Sequence, residues 1–121
     1  MRPTLLGLLA DPRGVDGTWD RSGRPATSGY AVTWREFTSL DIPDDVLGVL
    51  GHVELRSLVG EWGDNFPNEV EHFGRWRDTD RLVLSPVSVW QAQTRAISHS
   101  RHEGQRYFYD LSAGEVCEVP E

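Results

Sequence analysis

The sequence predicts an α+β fold with a mainly antiparallel sheet and one or two short helices. Strand-like alternation recurs along the chain, helical spacing is confined to short segments, and strands and helices do not alternate regularly as in βαβ units. An all-β barrel or sandwich with one helix is the alternative. The length of 121 residues lies in the common range for one domain, so we expect residues 1–121 to form a single domain.

The N-terminal part combines a short apolar segment with a long loop. "TLLGLLA" fits a strand or one and a half helical turns, and it ends at Asp11 and Pro12. Residues 11–29 contain four glycines and two prolines, which interrupt regular structure. We therefore predict a long Gly/Pro-rich loop there, folded as two turns around a brief extended piece at residues 15–19.

The segment from residue 30 to residue 60 predicts a strand, a short helix and a second strand. "YAVTWREF" alternates and is rich in β-branched and aromatic residues, which favours a strand. "IPDDVLGVLG" predicts a helix over about 43–50, with acidic residues where the helix dipole attracts them. "HVELRSLVGEW" predicts a strand with a bulge near Gly60. A helix through Leu58 remains open as an alternative.

The C-terminal part predicts a buried strand, a helix and a hairpin. "RLVLS" is typical of a short buried strand, and Ser85 and Pro86 suit the N-cap and first turn of a helix that ends near Ser98. "SRHEGQ" then connects to a hairpin formed by "QRYFYDLSAGEVCEV", with its turn at Ser-Ala-Gly.

The charge is strongly acidic and unevenly placed. Nineteen acidic residues face twelve basic ones, all of them arginine, and the net charge is −7. Residues 41–80 carry ten acids against three arginines. The lack of lysine excludes P-loop and Schiff-base chemistry, both of which depend on it. Such a negative field disfavours nucleic acid and anionic membranes and favours a basic or amphipathic protein surface.

The single cysteine and the apolar segments limit the location of the protein. Cys117 is the only cysteine, which excludes an intramolecular disulfide and a cysteine-based zinc site. No stretch approaches the roughly 18 apolar residues of a membrane span. We expect a soluble, cytoplasmic protein without a membrane partner.

An aromatic and acidic stretch at residues 60–76 is the first candidate site. Tryptophan is enriched at interface hot spots, and acidic neighbours would select a basic partner. The same rings could instead close the domain's own core. Paired carboxylates beside tryptophan would also suit glycoside hydrolysis, although the chain is small for such a cleft. The candidate partner-binding residues are Trp62, Asp64, Phe66, Glu69, Glu71, Phe73 and Trp76.

The histidines form the second candidate site. His99 and His102 are three residues apart and Glu103 follows, so on a helix they could bind zinc together with His72. Such a centre would support hydrolysis. Because the predicted helix ends near Ser98, we expect a polar turn there instead, and neither a metal nor another cofactor.

These observations favour a non-catalytic, small acidic protein that binds another protein. In size and charge it is like immunity proteins, antitoxins and other inhibitors, which is an analogy of general character. One alternative is a structural subunit of a viral particle or larger assembly, in which residues 11–29 would clasp a neighbour. The other is a small metal-dependent hydrolase that uses the histidines.

Overall fold

The computed structural model describes residues 4–121, and its fold is α+β, as predicted. The helices are α1 (Leu5–Leu9), α2 (Asp44–Leu47), α3 (His52–Asp64) and α4 (Gln93–His102). The strands are β1 (Gly17–Asp20), β2 (Tyr30–Thr33), β3 (Leu40–Pro43), β4 (His72–Asp78), β5 (Arg81–Trp90), β6 (Tyr107–Asp110) and β7 (Glu115–Glu118).

All strands belong to one antiparallel sheet organised around β5. The order is β1-β4-β5-β2-β6-β7, and β3 pairs with β5 beside the end of β2. The long β5 thus pairs with β4 along one side and with β3 and then β2 along the other. The sheet is not closed into a barrel, so the structure gives no support to the all-β barrel alternative.

The helices lie on one face of this sheet. The larger core cluster joins α1 and α3 to strand residues such as Phe73, Leu82 and Leu84. The smaller cluster places Ala96 of α4 against Val32 and Phe108. Val32 pairs with Ser88, which alternation places on the same face of β5 as Leu84. Both clusters therefore share one face, and the other face of the sheet is open.

The predicted strand around residues 53–60 is wrong, because this segment lies in α3. The buried residues Leu55 and Val59 are four apart, and the half-buried Trp62 follows three residues later. That spacing puts all three on one face of a helix. Val53, which started the apparent strand alternation, is exposed. The helical alternative is correct in type, although α3 is separate from α2 and continues past Leu58 to Asp64.

The predicted helix from Ser85 to Ser98 is also wrong in its first half, where β5 continues to Trp90. Pro86 is accommodated because the amide of Trp34 donates to its carbonyl, so the backbone of Pro86 points toward the end of β2. Proline has no backbone N–H. At position 86 this group would point to the side of β5 where β2 has ended and β3 has not begun, and away from β4. The hydrogen bonds between β5 and β4 are therefore all retained.

Several boundaries differ from prediction, although the C-terminal hairpin is confirmed as β6 and β7. The apolar N-terminal segment is the short helix α1, and segment 11–29 contains β1 near the predicted extended piece. The helix expected over 43–50 is reduced to α2, and the residues just before it form β3. β4, which begins within the aromatic and acidic stretch, was not predicted as a strand.

Candidate functional site

The open face of the sheet carries a concave groove of about 740 Å³. We call it the open-face groove. Strand alternation directs most of its side chains away from the helices, although Arg75 and Phe108, which also line it, are at core positions of β4 and β6. The residues that line it are Asp16, Gly17, Thr18, Ala26, Thr27, Ala31, Thr33, Gly74, Arg75, Trp76, Val87, Tyr107, Phe108, Tyr109, Leu111 and Val116.

Small residues on the inner strands make the groove deep enough to receive a side chain. Gly74 and Ala31 lie on the two strands that flank β5, and both line the groove. A Cβ atom at Gly74 would lie 3.1 Å from Cγ2 of Val87 and 3.8 Å from Oγ1 of Thr18. The missing side chain at position 74 therefore keeps the floor open.

Aromatic and aliphatic side chains form the walls of the groove and remain accessible to solvent. The exposed fractions are 36% for Trp76, 56% for Tyr107, 38% for Tyr109 and 68% for Val116. Large apolar groups gathered on one exposed surface mark interaction sites in soluble proteins. Tyrosine and tryptophan also supply polar atoms at the ends of apolar rings, which suits recognition of an amphipathic group.

The strands around the groove carry more carboxylates than cations. The pairing registers place Asp20, Asp41, Asp78 and Glu118 on the open face, and Asp16 lines the groove. Arg81 is on the same face and bonds Asp41 at 2.9 Å and Asp80 at 3.3 Å. Arg75 also lines the groove, but its guanidinium is bound to the backbone carbonyls of Leu9, Asp11 and Gly14. Among these described residues, five carboxylates thus stand against two arginines whose guanidinium groups are already bound within the chain. The open face therefore favours positively charged partners.

Asp20 is held in its charged form by local hydrogen bonds. The side chain of Ser22 and the backbone amides of Ser22 and Arg24 donate to Oδ1 of Asp20. The hydrogen bond from the Ser22 side chain is the largest of the causes that lower the pKa of this carboxyl below 3.8. Asp20 therefore contributes a negative charge to the open face at neutral pH.

The structure divides the aromatic and acidic stretch between two surfaces. Trp62 and Phe66 pack edge to face against Phe73 on the helix side, with ring centroids 5.7 and 5.6 Å from it. Phe73 is only 2% exposed, whereas Trp76 lies on the opposite face and lines the groove. The carboxylates of this stretch, Asp64, Glu69 and Glu71, are exposed. Of the seven candidate residues, Trp76 alone lines the groove.

The histidine segment is helical, so the predicted polar turn at residues 99–103 is wrong. α4 starts and ends later than expected, with His99 and His102 in its last turn and the buried Glu103 as its C-cap. The two imidazole rings stack at 6.4 Å, while Nδ1 of His102 lies 3.5 Å from Oε2 of Glu103. His72 lies on β4. Among residues 4–121, no three His, Cys, Asp or Glu side chains are placed to hold a metal ion.

Burial makes His99 a source of pH-dependent stability. Its ring packs edge to face on Trp34 at 4.6 Å and lies 5.3 Å from the ring of Trp90. Burial lowers the pKa of His99 below 6.5, the charge of Glu103 opposes this shift, and His102 reinforces it. The unfolded chain therefore takes up a proton at a higher pH than the folded protein. We expect the free energy of unfolding to decrease as the pH falls below 6.5.

Urea unfolding between pH 8 and pH 5, the range in which a histidine titrates, measures this effect. The variant His99→Phe keeps an aromatic ring but cannot be protonated, so its unfolding free energy should depend less on pH. His52 is exposed on α3, and His52→Gln should retain the pH dependence of the original protein. Equal slopes for the original protein and His99→Phe would contradict the assignment to His99.

Most of the groove was not predicted from the sequence, because β4 was not recognised as a strand. Tyr107 and Tyr109 alternate in the predicted hairpin, and Gly74 and Trp76 alternate in "HFGRW". Those pairs share the open face because the pairing registers that link β4 through β5 and β2 to β6 place them there. The alternation of exposed aromatic residues was the available signal, and the strand order was needed to join the two halves.

Comparison of the chain with protein-family models, curated proteins and solved structures finds no match. Within the described residues, none of the helices combines the length and the apolar character that crossing a bilayer requires. The function of the protein is therefore inferred from the geometry and the charge of the open face.

Proposed function

We propose that this protein is a non-catalytic binding protein that takes a basic, amphipathic segment of another protein into the open-face groove. The observation that carries this proposal is the set of exposed rings on one concave surface surrounded by carboxylates. An inhibitor, immunity protein or antitoxin would act in this way. In each case, binding covers a functional surface of the partner.

The two physical properties of the groove serve different steps of binding. Carboxylates attract a cationic partner over a distance comparable to the Debye length and accelerate the encounter. The rings of Trp76 and Tyr109 then provide the apolar contact area that stabilises a complex. A partner with alternating cationic and apolar side chains would use both properties at once.

The other functions have less support. Segment 11–29 places β1 in the sheet and folds back on it, since the amide of Asp20 donates to the carbonyl of Arg24 and that of Ala26 to Thr18. Those backbone groups are used within the chain, so no specific observation favours a clasp on a neighbouring subunit. None favours a metal-dependent hydrolase. A cytoplasmic location remains part of the proposal, and the single unpaired cysteine is compatible with it.

An eight-residue probe peptide tests the proposal. It has threonine at every second position and, between the threonines, arginine and phenylalanine in turn. We expect it to bind at least about tenfold more tightly at low salt than the same peptide with glutamate in place of arginine, because the open face is negative. Calorimetry gives both affinities, and the difference should shrink as salt is added. Heteronuclear NMR should show shifts at Trp76, Tyr107 and Tyr109.

Filling the groove should abolish this binding. We expect Gly74→Ala to weaken the probe peptide and Gly74→Val to weaken it further, because the added methyl groups occupy the floor next to Val87. Gly60→Ala is the matched control, since its Cβ would meet nothing within 4 Å. Circular dichroism confirms that each variant is folded. Equal affinity of the arginine and glutamate peptides, or unchanged binding by Gly74→Val, would overturn the proposal.

A further inference from the structure

We infer that the partner segment binds as an additional antiparallel strand on the outer edge of β7. This inference rests on the proposed function and specifies how the open-face groove is used. β7 ends the sheet next to β6, and its residue Val116 lines the groove. A strand added at this edge would lie beside β7, with β7 between it and the tyrosines of β6, and it would extend the open face of the sheet.

The two ends of the sheet differ in their exposure to a new strand. The outer edge of β1 is covered by the chain itself, because residues 24–26 bond Thr18 and Asp20 and Pro25 forms a bridge with Trp19. For β7, no bond from residues 4–121 to the outer edge is present. An uncovered edge strand is a template for pairing with another chain.

The hydrogen-bond phase shows which groups of β7 are available. The amide of Val119 donates to the carbonyl of Arg106, so the backbone of Val119 faces β6. Antiparallel pairing alternates from residue to residue. The N–H and C=O groups of Val116 and Glu118 therefore point outward. Their side chains lie on the open face, opposite Tyr109 and Tyr107.

This phase determines the chemistry of the incoming strand. The residue opposite Glu118 would have its side chain on the open face, next to a carboxylate, which favours arginine or lysine. The residue opposite Val116 would have its side chain on the open face beside Val116, which lines the groove, and this favours an apolar or aromatic side chain. A second copy of this chain fits less well, because it brings another net charge of −7 and two more glutamates to the same edge.

Backbone methylation of the probe peptide tests strand addition. When a phenylalanine of the peptide pairs with Val116 and an arginine pairs with Glu118, both residues direct their N–H groups at β7. The threonines direct theirs away from β7. N-methylation of one central arginine and one central phenylalanine should weaken binding about tenfold or more, because two hydrogen bonds are lost. N-methylation of two central threonines is the matched control and should leave the dissociation constant within about twofold.

Each outcome of this experiment has a distinct meaning. Strand addition is supported if N-methylation of arginine and phenylalanine weakens binding, N-methylation of the threonines does not, and hydrogen exchange at the amides of Val116 and Glu118 is slower in the complex. Equal affinity of both methylated peptides, with binding still lost in Gly74→Val, overturns strand addition but leaves the proposed function in place. Failure of the unmethylated peptide to bind overturns the proposed function. A dimer that dissociates when peptide is added, seen by light scattering, assigns the edge to a second copy and overturns the inferred partner.

Discussion

Replacing Phe73 by alanine is expected to lower the free energy of unfolding by about 3–5 kcal/mol, the range for removal of a buried phenylalanine. Phe73 is at the centre of the aromatic packing on the helix side, where it contacts the rings of Trp62 and Phe66. The guanidinium of Arg21 lies over its ring at 5.6 Å. The truncation would therefore leave a cavity and remove several favourable ring contacts at the same time. Urea unfolding followed by tryptophan fluorescence measures the loss.

Trp76 provides the matched comparison, because it lies on the same strand but on the opposite face. We expect Trp76→Ala to cost about 1 kcal/mol or less, since the ring is already partly in water. It should abolish binding of the probe peptide, because the ring lines the groove. A similar loss of stability in both variants would show that Trp76 is structural. A stable Phe73→Ala protein would contradict the assignment of Phe73 to the core.

The fold class could be predicted from the sequence, but several elements could not. Strand alternation in "YAVT" and "RLVLS" identified parts of β2 and β5 correctly, because each has a buried face. In α3, glycines such as Gly60 disfavour a helix, so the helical spacing of Leu55 and Val59 was not recognised. Ser85 and Pro86 predicted the start of a helix, but they lie within β5. Proline is acceptable there because it faces the gap between β2 and β3. Local patterns cannot show such a tertiary gap.

The candidate site was predicted only in part, for a related reason. Trp76 and the acidic character were identified from residue types and charge. The groove also needs Tyr109 and Gly74, which belong to strands far apart in the sequence. Their shared face depends on strand order, and one missing strand hides it. The histidine segment shows the opposite error, because a boundary misplaced by a few residues turned the last turn of a helix into a predicted loop.

The same alternation that separates Phe73 from Trp76 gives this sheet its two functions. One face buries apolar side chains under the helices, and its residues determine stability. The other face leaves aromatic rings in water, which is unfavourable for apolar surface, and it also carries carboxylates, which water solvates well. The proposed partner would cover the exposed aromatic residues on both β4 and β6.

Replacing Arg75 by methionine is expected to destabilise the protein, although methionine fills a similar volume, by about 1–3 kcal/mol for each buried carbonyl left without a donor. Arg75 is 1% exposed. Its guanidinium donates to the carbonyls of Leu9, Asp11 and Gly14, which binds the end of α1 and the start of the long loop to β4. Burial lowers the pKa of Arg75, whereas the charges of Asp11 and Asp16 act in the opposite direction. Methionine would leave three carbonyls without this donor.

Arg77 is the matched control for this substitution, since it lies two residues further along β4 and is exposed. It pairs with Asp44 at the surface, so Arg77→Met should cost less than about 1 kcal/mol. Arg75→Lys keeps the charge but cannot direct several N–H groups at separated carbonyls, so we expect it to be destabilised as well. Urea unfolding of the three variants distinguishes charge from hydrogen bonding. Full stability of Arg75→Lys would mean that the charge alone is sufficient, and full stability of Arg75→Met would contradict a structural role for the guanidinium.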